Sequence, residues 1–362
     1  MYTHLNNRWT AQTLPMASAA ARFIDELSMD VLVKSFNRPY CLDRCLCSLR
    51  QHVHKVRSIR VLDDGTPNKY LDEIKRRHPQ VEILRSERHA EKSASIEQYR
   101  AGDLRPTEIL SALPWEFWRS SVQSASPRFL LLADDQWCSR DLDLGGISQI
   151  MKSRGCALVR LFKSPALDRG PVTPLSPEVC QVHPWYLKSR LHTLIYKTCL
   201  VHQFAKADSH WALHVGHGIF ERSFWLEATR DARSVANESL QRTRALEWAI
   251  RHHRAIFART TSDPVSTTLW SSASSHDLDR AVGFDMNLFN KLLNEYWFAG
   301  RLDPGGGMPD DFPRETILAV LSEAGESSCT PEKWSLWCDQ LSETGNLDPQ
   351  NPGRSVSPTP RS

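Results

Sequence analysis

Apolar residues in this chain come in short bursts, separated by polar or amphipathic stretches. Val31-Leu32-Val33, Val61-Leu62 and Phe129 to Leu132 are consecutive runs too short to make a helix. Such runs predict strands buried on both faces, as in parallel sheets. On this pattern we expect strands over 30–36, 56–62, 81–84, 129–132 and 156–162. The stretches between them have helical spacing. Leu42, Cys45, Leu46 and Leu49 follow Pro39, which suits a first helical turn. Tyr70 to His78 stops at Pro79, and Glu91 to Tyr99 and Pro114 to Gln123 read the same way. Strand and helix in alternation predict an α/β fold, a mostly parallel central sheet flanked by helices. Right-handed crossovers put the strand ends on one edge, so residues 35–38, 63–65, Arg85, Asp134 and Asp135 are expected to meet there.

The second half is less regular. Residues 164–186 contain Pro165, Pro171, Pro174, Pro177 and Pro184 and read as a long irregular segment. His192 to Phe204 suits strand and helix equally. Gly216-His217-Gly218-Ile219-Phe220 reads as a tight turn into a helix. Helical patterns follow at 240–252, 287–297, 314–323 and 331–341. Asp303-Pro304-Gly305-Gly306-Gly307 lacks a Gly-Lys-Ser/Thr ending, so it is a turn and not a phosphate loop. The expected organisation is an appendage at 1–28, a main domain at 29–260, a helical C-terminal extension at 261–344 and a disordered tail at 345–362.

Composition changes this picture little. With 362 residues, 41% of them hydrophobic, a large core is within reach. The net charge of +3 comes from scattered basic residues, which argues neither for nor against nucleic acid, and no nucleic-acid partner is expected. Twelve Trp are expected mostly in the core and in clefts. The nine Cys include no Cys-x-x-Cys, and the spacing of Cys41, Cys45 and Cys47 suits no zinc knuckle. We therefore expect reduced thiols and a cytoplasmic protein. Leu187, Leu191, Leu194 and Ile195, interspersed with Lys and Arg, raise a peripheral membrane contact as an alternative to an ordinary packing helix.

Two acidic pairs bring in chemistry. Asp63-Asp64 and Asp134-Asp135 each follow an apolar strand, and in open parallel sheets ligands sit outside the carboxyl ends of strands. Adjacent acids repel unless a cation or a hydrogen-bond network holds them. A hard divalent cation does so and also binds phosphate oxygens. The alternative is that they cap a turn or helix.

Residues 31–46, Val-Leu-Val-Lys-Ser-Phe-Asn-Arg-Pro-Tyr-Cys-Leu-Asp-Arg-Cys-Leu, resemble the first strand and helix of GT-A-type glycosyltransferases, especially the inverting family 2. Val61-Leu62-Asp63-Asp64-Gly65-Thr66 resembles their second-strand signature. Leu132-Ala133-Asp134-Asp135 resembles a variant of their Asp-x-Asp metal motif that lacks the outer Asp. The match covers roughly residues 30–140. It implies a GT-A-like (Rossmann-like) fold, a nucleotide-diphosphate-sugar donor such as a UDP-sugar, a hydroxyl acceptor and Mn²⁺ or Mg²⁺. Carried over by position, Ser35, Phe36, Asn37 and Arg38 hold base and ribose, and Asp63 or Asp64 recognises the base. Asp135 contacts the metal, Asp134 reaches the ribose or a metal-bound water, and Arg85 and Lys92 steady the diphosphate. His276 is a candidate further metal ligand. Glu247, after the Gly216-His217-Gly218 turn, is the candidate base, with Glu221 and Asp208 as rivals. Two other readings are a non-catalytic nucleotide-sugar binder and a sugar nucleotidyltransferase. The latter is disfavoured because no Gly-x-Gly-Thr-Arg loop follows Val33.

Overall fold

The computed structural model describes residues 28–99, 110, 112–161, 171–198, 213–233, 238–268, 270–271 and 277–341. Its centre is a nine-stranded sheet in the order β4-β3-β1-β5-β11-β8-β12-β10-β9. The strands are β1 (Met29–Ser35), β3 (Val56–Asp63), β4 (Glu82–Arg85), β5 (Arg128–Ala133), β8 (Cys156–Arg160), β9 (Val172–Pro174), β10 (Val179–Val182), β11 (Gly218–Glu221) and β12 (Ile256–Thr260). β4, β3, β1 and β5 run parallel, as their apolar runs predict. β11 is antiparallel to both β5 and β8, and β12 returns parallel to β8. Two small ribbons, β2 (Val53–His54) with β7 (Leu142–Asp143) and β6 (Gln136–Cys138) with β13 (Val265–Thr267), flank it.

Successive residues of a strand point to opposite faces. Val31, Val33, Leu130 and Leu132 therefore join one apolar cluster, while Leu32, Phe129 and Leu131 join the other. The first face is covered by α1 (Pro39–His52), α2 (Asn68–Arg77), α5 (Leu144–Arg154) and the C-terminal helices α10 (Met286–Phe298), α11 (Arg314–Ala324) and α12 (Pro331–Leu341). The second is covered by α4 (Trp115–Gln123), α7 (Arg222–Ala228) and α8 (Glu238–Arg251). Helices α3 (His89–Glu97), α6 (Arg190–Thr198) and α9 (Asp277–Val282), with a short 3-10 helix at Trp185–Leu187, complete the described elements. Trp137, Trp225, Trp297 and Trp334 are fully buried, so the tryptophans serve largely as core.

Two expectations are corrected. The Pro-rich segment is not wholly irregular, because β9 and β10 form within it. Gly218 to Phe220 is strand rather than turn, and a helix begins only at Arg222. The undecided stretch after His192 is helical as far as Thr198. Residues 1–27 and 342–362 lie outside the described residues, as do Asp208 and His276. Among the described residues no helix is long and apolar enough to cross a membrane.

The C-terminal helices belong to the same core as the sheet. Asp43 of α1 is 1% exposed and accepts hydrogen bonds from Trp297 Nε1 at 2.8 Å, His78 Nε2 at 2.7 Å and Arg77 at 3.0 Å. Burial alone would raise its pKa. The hydrogen bonds from His78 and Trp297 and the nearby charges outweigh that and hold it below the ordinary value. Arg44, the next residue, donates to the carbonyls of Pro304, Gly306 and Asp310 and lies over the Trp137 and Phe312 rings. The glycine-rich turn thus offers its carbonyls to a guanidinium, the opposite polarity from a phosphate loop. Asp43→Ala leaves the buried Trp297 indole N–H and His78 without their acceptor and takes from Arg77 one of the two carboxylates it meets. It is expected to lower the unfolding free energy at neutral pH by about 3 kcal/mol in urea titration.

Candidate functional site

The chain leaves β1 for β3 and β4 on one side, then returns to add β5 on the other. The crevice between the carboxyl ends of β1 and β5 is therefore the topological switch point, the usual ligand position in such sheets. Both acidic pairs and the loop after β1 arrive there, and hydrogen bonds tie them together. Asp64 N donates to Ser35 O at 3.0 Å, Ser86 N to Asp63 O at 3.0 Å and Asp134 N to Lys34 O at 2.8 Å. Exposed Arg85 stands in register with Asp63.

The loop after β1 is built tightly. Asn37 adopts φ 51°, a left-handed conformation that Asn tolerates better than most residues. Three hydrogen bonds hold it there. Its N–H donates to Thr66 Oγ1 at 3.0 Å, and Asn294 Nδ2 donates to its carbonyl at 3.0 Å and its side-chain oxygen at 3.2 Å. Asn294 lies on α10, so the C-terminal helices shape this loop. Arg38 follows, directly before Pro39 starts α1.

The buried Asp134 accepts from Phe36 N at 3.0 Å and from Arg38 Nη2 at 2.5 Å. The same nitrogen is 3.1 Å from Asp135, whose side chain is 24% exposed. One guanidinium thus serves two carboxylates. Burial raises Asp134 to about 6 against the pull of Arg38, with the neighbouring Asp135 charge adding to the rise. Asp135 is fixed from behind, as its carbonyl accepts from Thr268 N at 2.9 Å and Thr267 Oγ1 at 3.2 Å. A divalent cation fits this chemistry on limited terms. Asp134 has both oxygens engaged, while Asp135 is the half-buried carboxylate that reaches solvent. Mg²⁺-type sites commonly use one or two carboxylates, with waters and substrate phosphates supplying the rest.

The other acidic pair is occupied by the protein itself. Asp63 accepts from Gly65 N, Thr66 N and Thr66 Oγ1 and meets His89 Nε2 at 3.1 Å, so it shapes the loop. Asp64 accepts from Ser86 Oγ at 2.6 Å and from Lys92 Nζ at 2.5 Å. Burial raises Asp64 despite those two bonds. Lys92 is buried and also donates to Ala112 O, so it stands as a partner of Asp64 and not as an exposed cation. Gly65 is required here, because at φ +142° an added Cβ would fall 2.6 Å from the Lys92 Cβ. The Phe36 ring lies 5.5 Å from Lys92 Nζ.

Several groups at this edge escaped the sequence reading. Lys34 is half-buried on β1 with Nζ 5.2 Å from the Trp118 ring. Burial lowers it to about 8, against the charges of Asp135 and Asp134. Arg160 ends β8, fully buried, with Nη2 3.4 Å from His217 Nε2. Burial lowers Arg160 to about 9. His217 falls well below its ordinary value through burial and the charges of Arg160, His214 and Lys34. The signal available in sequence was a charged residue closing an apolar strand, as in Val31-Leu32-Val33-Lys34 and Ala157-Leu158-Val159-Arg160.

Glu247 does not join this constellation. It pairs with Lys197 at 2.7 Å, Arg244 at 2.8 Å and Arg230 at 3.3 Å. Those cations, Lys197 first, hold it down to about 2 against burial, which makes it a poor proton acceptor at neutral pH. Its helix leads into Ile256, which pairs with Cys156 at the start of β8, on the edge away from the acids. Glu221 is likewise opposite, paired with Arg128 at the start of β5, where it caps α7 through Phe224 N at 3.0 Å. Among the described residues, one grouping of metal-ligand types is Asp43, Cys47 and His78. Its carboxylate already accepts from Arg77 and Trp297, so it is the packing clamp described above.

Asp134 sets a pH dependence. Its pKa is raised on folding, so the folded protein binds more protons than the unfolded chain between about pH 4 and 6. Stability from this group is full below the unfolded value and is lost as pH rises through about 6. The difference in unfolding free energy between wild type and Asp134→Asn, followed by denaturant titration, is expected to fall across that window and to flatten above it.

No family model and no curated protein matches the sequence. Among solved structures, the chain is similar to glucosyl-3-phosphoglycerate synthase from Mycobacterium tuberculosis, in complex with Mn²⁺, UDP and glucosyl-3-phosphoglycerate. The TM-score is 0.37 with 11% identity, over 83% of this chain and 90% of that one. It is similar to S. aureus TarS, with TM-score 0.36 and 12% identity over 81% of this chain and 48% of that one. It is also similar to the bifunctional glycosyltransferase WbbM, with TM-score 0.32 and 11% identity over 64% of this chain and 38% of that one.

Proposed function

We propose that this chain is a glycosyltransferase that moves a sugar from a nucleotide-diphosphate sugar, a UDP-sugar, to a hydroxyl acceptor by inverting, metal-assisted displacement. The observation that carries this reading is the meeting of the Phe36–Arg38 loop with Asp134 and Asp135 at the switch point of the sheet. Phe36 packs on the base. Asp64 keeps acceptor lone pairs beyond the two used by Ser86 and Lys92, and so accepts a hydrogen bond from the imino N–H of the base. Asp135 and the donor diphosphate hold Mn²⁺ or Mg²⁺, which supplies Lewis-acid stabilisation to the leaving group. Arg38 and Lys34 place two cations beside the same diphosphate and offset the negative charge that develops there. Glu247 serves packing in this reading.

A non-catalytic nucleotide-sugar binder is the second reading. What favours it is that Arg38 already neutralises part of the acidic pair. Hydrolysis of donor in the absence of acceptor separates the two.

Calorimetric titration with UDP is expected to show affinity rising about 10-fold or more when Mn²⁺ is present. Asp135→Ala should abolish that rise while metal-free UDP binding persists. Equal enhancement in wild type and variant would end the metal assignment. Glu247→Gln is expected to retain turnover within about threefold while its melting temperature falls, since it loses ion-pair strength and not a reacting group. A collapse of turnover with an unchanged melting curve would restore Glu247 as the base.

A further inference from the structure

Helix α6 (Arg190–Thr198) has its polarity reversed. A helix that packs on a protein core turns its apolar side inward. Here the inward groups are polar. Thr193 is buried and donates to the carbonyls of Tyr186 at 2.7 Å and Ser189 at 3.1 Å. Lys197, one turn later on the same face, reaches Glu247 at 2.7 Å. The aliphatic side chains face outward, with Leu191, Leu194 and Ile195 exposed at 63%, 46% and 40%. Three large aliphatics at this spacing form a contiguous apolar ridge, which marks an interaction surface.

Charge identifies the occupant. Lys188, Arg190 and His192 are exposed around the ridge. From Val179 to Ala207 the sequence has no Asp or Glu, but holds Lys188, Arg190, Lys197 and Lys206. Elsewhere acids are common, with 42 Asp and Glu in 362 residues. An apolar ridge bordered by cations, on a stretch of chain without acids, matches a surface that is negative outside and hydrocarbon within. We propose that α6 is a membrane-surface element: Leu191, Leu194 and Ile195 insert into the headgroup–acyl boundary of an anionic bilayer, while Lys188 and Arg190 engage its headgroups. A polyanion such as nucleic acid uses the cations and leaves the aliphatic ridge in water. A second copy of the chain uses the ridge and sets the cations against themselves. This surface is independent of the donor-site reading.

Vesicle sedimentation of the full chain tests it. Wild type is expected to pellet with phosphatidylglycerol-containing vesicles and only weakly with phosphatidylcholine vesicles, and added salt should weaken the first. The triple variant Leu191→Ser, Leu194→Ser, Ile195→Ser is expected to lose about 10-fold or more in vesicle affinity. An unchanged circular-dichroism spectrum and melting curve would show that the variant is folded. Should that variant not fold, Lys188→Gln with Arg190→Gln carries the test, through reduced affinity for the anionic vesicles alone. Several results overturn the proposal. They are no pelleting of wild type, vesicle binding that neither variant changes, or sedimentation velocity showing a dimer that the Ser variant dissolves while no vesicle is bound. Oligonucleotide binding as tight as vesicle binding and indifferent to the Ser substitutions would also overturn it.

Discussion

The Arg38 guanidinium, shared between Asp134 and Asp135, is the interaction on which the site depends. Two carboxylates at the end of one strand cannot both be charged and partly dry without a nearby cation. Arg38 supplies it, and in doing so ties the start of α1 to the end of β5 across the switch point. The geometry of the loop follows from this tie. For Arg38 to reach back over the sheet edge while Pro39 opens α1, the chain must turn sharply at Asn37, hence its left-handed conformation. Thr66 and Asn294 then hold a backbone that would otherwise relax.

The C-terminal region is accordingly part of the site's construction. Asn294 shapes the loop, Trp297 and Asp43 lock α10 to α1, and Thr267 and Thr268 hold the Asp135 backbone. Positioning residues thus come from both ends of the described chain. Each contact is short and buried or half-buried, where a misplaced polar group costs most.

The parallel half of the sheet and the convergence of its loops were legible in the sequence because each strand there is a compact apolar run with a breaker after it. Val31-Leu32-Val33 and Phe129 to Leu132 have little choice but to be buried on both faces. The antiparallel half was not legible. Gly218-Ile219-Phe220-Glu221 offers two large apolar residues and begins with glycine, so nothing in it distinguishes strand from turn until β5 and β8 stand on either side. β9 contains Pro174, which a central strand would reject. It is tolerated because β9 is the last strand of the sheet. Site chemistry divided the same way. The acidic pairs were visible as residue types at strand ends, but which oxygen faces a ligand depends on partners distant in sequence. Asp63 looked like a binding residue and is a loop brace, while Glu247 looked like a base and is neutralised by three cations. Lys34 and Arg160 were hidden because a single charge in an apolar run reads as interruption.

The absence of an acid at Ala133 and the presence of Arg38 are one electrostatic fact. A site with three clustered carboxylates would call for a divalent cation at all times. With Ala133 in place of one acid, the deficit left by Asp134 and Asp135 is small enough for a guanidinium to cover most of it. Proton uptake by Asp134 near pH 6 covers more. On the proposed reading, an incoming donor diphosphate would restore negative charge at the same place, and only then would the rim hold more anion than Arg38 and Lys34 can balance. On this reasoning, metal affinity and nucleotide affinity are linked. In the proposed donor complex each would strengthen the other by the same factor, as reciprocal coupling requires. On the proposed reading, the site without donor is closed on itself, and the charge of the donor would open it to the metal.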